Sequence, residues 1–119
     1  NHFATLSPFL IKDKVNGGFI TLKSDNFESK VKSYLINKLS KIDSKLDLSN
    51  FNIEIPEHRG HKVKKIKVKN VINHANQCQI NIHSNKKVIE LLYNIGIGQS
   101  TGSGFGTIYN TTNRKLYIN

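Results

Sequence analysis

The apolar positions change period several times along the chain, and each change marks an element. Residues 3–11 are extended in pattern and predict an opening strand, with Pro8 near its start or edge, where a missing N–H is tolerable. Asn16-Gly17-Gly18 is turn chemistry, and Phe19, Ile20, Thr21 and Leu22 follow as a second short extended piece. From Phe27 the period becomes helical. Phe27, Val31, Tyr34, Leu35, Leu39, Ile42 and Leu46 recur at spacings of three and four and predict a helix over about 26–45, with the intervening lysines facing water. Ser24 or Asp25 suits its N-terminus, and Glu28, three residues after Asp25, completes a capping-box arrangement.

Alternation returns at Phe51, Ile53 and Ile55, and Pro56 ends that strand. Residues 57–61 are a polar turn. A strand over 62–72 comes next, with Ile66 and Val68 on one face and Lys65, Lys67 and Lys69 on the other. After the polar 73–76 stretch, a strand over 77–83 turns Cys78, Ile80 and Ile82 inward and Gln79 and Asn81 outward. Ser84 or Asn85 caps a second helix over 86–95, whose core stripe is Val88, Leu91, Leu92 and Ile95. A glycine-rich segment occupies 96–106, and a strand near 107–110 closes the pattern. The order is strand, helix, strand, strand, helix, strand, with a small extra hairpin early. That is the α+β, ferredoxin-like βαββαβ plan, in which two helices cover one sheet face and leave the other for a partner.

Size and composition fit one such domain over residues 1–119. The chain contains no methionine and opens as though a strand were already under way, so it is expected to be a fragment, a processed product or a tag-trimmed chain. No apolar run approaches the roughly 20 residues of a membrane span, and the first residues lack the basic-then-apolar pattern of a signal peptide. Cys78 is the only cysteine, which excludes an internal disulfide and a cysteine-rich zinc site and points to a reducing, cytoplasmic compartment. Its place in the alternation makes it a small buried hydrophobe.

Charge adds the first functional pointer. The formal net charge is +10, and it is uneven: residues 1–50 hold eight lysines against five acids, and residues 51–119 ten Lys or Arg against three. Such an excess attracts polyanions without saying which. An abundance of Lys, Asn and Ile together also fits an A+T-rich genome, so part of the basicity is compositional.

Two segments carry candidate chemistry. In the first, Gly96, Gly98, Gly102, Gly104 and Gly106 fall within eleven residues, a density that permits positive φ and brings bare N–H groups close to a ligand. Ser100, Thr101 and Ser103 add hydroxyl donors for phosphate oxygens. Neither the dinucleotide-binding fingerprint nor the P-loop is present, because a helix precedes, a strand follows and no Gly-Lys-Ser/Thr occurs. The plain alternative is a connection with a glycine helix cap. In the second segment, Arg59, Lys62, Lys64, Lys65, Lys67 and Lys69 lie within eleven residues. Lysines on alternate strand positions repeat at about 7 Å, near the spacing of successive phosphates. A sheet edge protected by lysines is the alternative.

Of the five histidines, His58 and His61 adjoin the basic segment and are the in-chain candidates for proton transfer. A zinc site built from His58, His61 and His74 lacks a completing ligand. Glu54, Glu57 and Glu90 are isolated in sequence, so paired-carboxylate hydrolysis has no support. Of the aromatic residues, only Tyr93, Phe105 and Tyr109 adjoin the glycine-rich segment, where a base could stack.

Leu91-Leu92-Tyr93-Asn94-Ile95-Gly96-Ile97-Gly98 followed by Gly102-Ser103-Gly104-Phe105-Gly106 resembles the C-terminal signature of the repeat-associated (RAMP) superfamily. More narrowly, it is similar to the CRISPR-associated endoribonucleases of the Cas-six family, which cut precursor CRISPR RNA within its repeats. Leu6-Ser7-Pro8 also resembles the start of that family's second ferredoxin-like domain. The resemblance implies a C-terminal RNA-binding half whose partner is repeat RNA and whose N-terminal half is not within this chain. It implies cleavage without metal or other cofactor, by attack of a 2′-OH that leaves a 2′,3′-cyclic phosphate. The catalytic histidine of many members lies in the first domain, so this chain alone is expected to be inactive. A homodimer or other CRISPR-complex subunits are further expected partners, and no membrane is involved. One rival is a non-catalytic RNA-binding subunit of a ribonucleoprotein. Another is a phosphoanion-binding protein unrelated to RNA.

Overall fold

The computed structural model describes residues 2–5, 9–57, 61–98 and 108–110. Four antiparallel strands form the main sheet: β1 (His2–Thr5), β2 (Asn52–Glu54), β5 (Gln79–His83) and β6 (Ile108–Asn110), in the order β2-β5-β1-β6. The helices are α1 (Phe27–Ile42) and α2 (Lys86–Ile95). Two further strands, β3 (Lys62–Val68) and β4 (Val71–Gln77), pair with each other as a separate hairpin that lies between β2 and β5 in sequence. The fold is thus the expected ferredoxin-like α+β plan with a hairpin inserted into it.

Its core follows from the alternation. Ile53 of β2 and Ile80 and Ile82 of β5 are buried beneath Val31, Leu35 and Leu39 of α1 and Val88 and Leu92 of α2. Asn52, Glu54 and His83 on the opposite face are exposed, as a sheet covered on one side requires. Helix α2 starts as its sequence predicts: Asn85 Oδ1 accepts from the Val88 N–H at 3.0 Å, and its amide donates to the Asp47 carbonyl. Helix α1 does not. Its N-cap is Asn26 in the left-handed region with no side-chain cap bond. Residues 21–24 instead close a turn of their own, with Ser24 Oγ accepting from the Thr21 N–H. Glu28 reaches across to accept from the Ile55 N–H at 2.7 Å, tying the helix to the end of β2.

The early hairpin forms around Gly17 (φ 77°) and Gly18 (φ 72°), with Ile20 donating to the Ile11 carbonyl. Asp13 accepts from the Val15 and Asn16 N–H groups, and the Asn16 bond is the first cause holding its carboxyl below the usual value.

Two predicted strands are corrected. The described residues of the extended stretch over 3–11 divide between two sheets: β1 belongs to the main sheet, whereas Phe9 exchanges both backbone hydrogen bonds with Asn76 of β4 at 2.8 Å. The predicted 62–72 strand is two strands joined at Lys69 and Asn70, both with positive φ (50° and 66°), the requirement of a tight hairpin turn. The polar residues 73–76 are therefore strand, not loop. The signal was a phase slip: Ile66 and Val68 alternate, but the next apolar residue is Val71, which pairs directly with Val68.

Candidate nucleic-acid interface

Lys62, Lys65 and Lys67 are exposed along β3, and Lys64 is half-buried. Lys65 stands opposite His74, and Lys67 opposite Ile72. Lys69 does not continue the stripe, because it has left the strand for the turn, where it too is exposed. The hairpin contains no acidic residue, and among the described residues none of these lysines makes an ion pair. Its tip is apolar as well as basic: Val68 is 37% exposed, Val71 56% and Ile72 55%.

The hairpin is anchored at its base by Asn76, which is fully buried. Its side chain accepts from the Leu22 N–H at 2.9 Å and donates to the Ile20 carbonyl at 3.0 Å, while its backbone holds Phe9. This amide satisfies a backbone segment that lies outside the sheet, so burying it carries no unpaired polar group. Its functional weight was invisible in the sequence, where it stood in a polar stretch between two strands.

His61, at the other side of the base, accepts from the Gln79 N–H through Nε2 at 2.9 Å. A neutral imidazole accepting at Nε2 carries its proton on Nδ1, so its one lone pair is already in use. A base needs that lone pair. His58, Arg59, Ser100, Thr101, Gly102, Ser103, Gly104 and Gly106 lie outside the described residues.

The start of the glycine-rich segment is fixed on three sides. Gly96 ends α2 with φ 74°, its N–H bonded to the Leu92 carbonyl at 2.8 Å. Ile97 is fully buried in the core. Gly98 has φ 90°, and a Cβ there would lie 2.5 Å from the Leu10 carbonyl oxygen, so no other residue fits without displacing backbone. On the third side, Lys38 of α1 donates to the Gly98 carbonyl at 2.6 Å and to the Gly96 carbonyl at 3.5 Å. Burial pushes its ammonium below the usual lysine pKa. Here the structure departs from the expectation that the lysines of α1 face water. The signal was present: Lys38 stands four residues after Tyr34 and four before Ile42, inside the apolar stripe.

Leu10 joins the two segments. Its backbone meets Gly98, and its buried side chain forms a small cluster with Ala75, packed against Phe19 and Ile66. The structure thus places the basic hairpin and the start of the glycine-rich segment on either side of one residue, although 27 positions separate Lys69 from Gly96 in sequence.

The sheet order and the helix-to-glycine junction define the class: a ferredoxin-like domain with an inserted basic hairpin beside a glycine-rich segment. The family model described as "CRISPR associated protein Cas6, C-terminal" matches residues 1–109, and the chain belongs to that family. Among solved structures, it is similar to one described as "CRISPR associated protein Cas6" (TM-score 0.75, 19% identity, covering 93% of this chain and 48% of that one). It is similar also to "An RAMP protein binding different RNA substrates" (0.70, 21%, 91% and 47%). A third is "Characterization of a Cas6-related gene from Pyrococcus furiosus" (0.69, 20%, 92% and 46%). At these identities the likeness is one of fold, and the chain spans about half the length of these structures. No curated protein matches it.

Proposed function

We propose that this chain binds CRISPR repeat RNA as the C-terminal domain of an endoribonuclease that processes precursor CRISPR RNA. The observation that carries the reading is the meeting of the basic hairpin and the glycine-rich segment at Leu10, in a chain of the Cas6 C-terminal family. Lys62, Lys64, Lys65, Lys67 and Lys69 supply backbone charge neutralisation, and the glycine-rich segment supplies close amide contacts to phosphate. Sequence discrimination by the RNA's bases or shape is a separate matter that lysines do not provide. Cleavage proceeds without metal through attack of a 2′-OH, with the proton-accepting group outside this chain. The engagement of His61 Nε2 by Gln79 supports that placement. It equally favours a second reading, a non-catalytic RNA-binding subunit of a CRISPR ribonucleoprotein.

The test is incubation of labelled repeat RNA in EDTA, with this chain and with the longer protein that contains it, followed by a denaturing gel. The expected result is intact RNA with the chain and a single cut ending in a cyclic phosphate with the longer protein. A cut by this chain alone would return the active site to these residues and sink the assignment of catalysis elsewhere. Intact RNA in both lanes, with binding retained, would select the non-catalytic subunit.

A further inference from the structure

We propose that Lys38 is a positioning residue for RNA binding, which shapes the glycine-rich segment from behind and does not touch the phosphate. The proposal rests on the RNA reading above. Lys38 projects from the apolar stripe of α1 and gathers the carbonyl oxygens of Gly96 and Gly98 onto one ammonium, at 3.5 and 2.6 Å. The intervening Ile97 is fully buried, so the residue between the two carbonyls has no freedom to swing. Carbonyl oxygens carry partial negative charge and repel phosphate. Holding both carbonyls on the ammonium keeps that negative end of the turn on the protein side. Gly96, Ile97 and Gly98 are themselves buried, so Lys38 sets the direction in which the segment leaves α2 and offers no anion contact of its own.

No acid competes for this ammonium among the described residues, which distinguishes it from Lys86 and Lys87 at the surface, each within 3.8 Å of a carboxylate. A half-buried lysine whose described partners are two backbone carbonyls, both in one glycine-rich turn, acts on the shape of that turn. Leu10 and α2 hold the same turn from other directions, so Lys38 sets its orientation where they set its place.

The experiment compares wild type, Lys38→Met and Lys38→Arg in the full-length protein. Met keeps the length and apolar packing of the stem without the donor. Two readouts are taken: amide hydrogen exchange over residues 93–106, and repeat-RNA affinity at several salt concentrations. For Lys38→Met we expect faster exchange over 93–106 and RNA affinity lowered about tenfold, the scale of a missing charged hydrogen bond discounted for partial exposure. The slope of log affinity against log salt should stay unchanged, and Lys38→Arg should recover most of both effects. A direct phosphate contact would instead lower that slope by about one unit while leaving exchange unchanged, and would overturn the proposal. Unchanged exchange and affinity would overturn it as well. Wild-type protein that leaves repeat RNA unbound would sink the RNA reading, while exchange would still decide whether Lys38 holds the turn.

Discussion

Gly98 shows how one position can be fixed by two constraints at once. Its φ of 90° lies where side chains are rarely accommodated, and the space a Cβ would need is held by the Leu10 backbone. Gly98→Ala is expected to cost about 3 kcal/mol, the sum of backbone strain and overpacking against atoms that cannot rotate away. Urea denaturation checks this, and a midpoint within error of wild type would refute the close approach. Gly17→Ala is the control, since its Cβ meets nothing within 4 Å and only its φ of 77° resists.

Cys78 gives a pH prediction at the same scale. Burial raises its thiol pKa from 9.0 to about 12. Because the folded value lies above the unfolded one, the unfolded chain loses this proton first. The stability it contributes is complete below pH 9 and is lost as pH climbs from 9 toward 12. Thiol alkylation at about pH 8.5, near the ordinary thiol pKa, should therefore be slow in native protein and fast in denaturant. Equal rates would show the thiolate to be accessible. Sequence alternation had already placed this residue inside, and its 4% exposure agrees.

At the scale of elements, the hairpin is the feature that patterning understated. Alternation made β3 credible but read straight through Lys69 and Asn70, because the pair lacks the glycine that usually announces a two-residue turn. The 73–76 stretch is strand because Asn76 is buried and bonded from three directions, a tertiary reason that overrides weak strand propensity. Functionally, the hairpin presents Lys65 and Lys67 on one exposed side. Replacing both with Ala in the full-length protein should weaken repeat-RNA binding and reduce the salt slope by about two units, since each phosphate left without its lysine accounts for roughly 0.9. Lys86→Ala, on α2 and paired with Glu90, should leave the slope unchanged. An unchanged slope in the double variant would make the hairpin lysines solvated edge protection and nothing more.

At the scale of the whole molecule, the four-stranded order β2-β5-β1-β6 brings α1 and α2 onto one face, and among the described residues no helix is long and apolar enough to cross a membrane. Periodicity by itself determined the two helices, the inward faces of β2 and β5, the α+β order and the glycine-rich segment's place after α2. These are local: spacings of two or three-to-four residues decide which side chains share a face, whatever lies beyond. The tertiary structure alone decided that Phe9 bonds to Asn76 of the hairpin, that Leu10 stands between hairpin and glycine turn, and which two carbonyls Lys38 meets on its inward side. Each of those depends on groups far apart in sequence, 67 positions for Phe9 and Asn76 and 60 for Lys38 and Gly98, competing for one backbone donor or acceptor. No spacing rule along the chain records such a competition; only packing settles which partner wins.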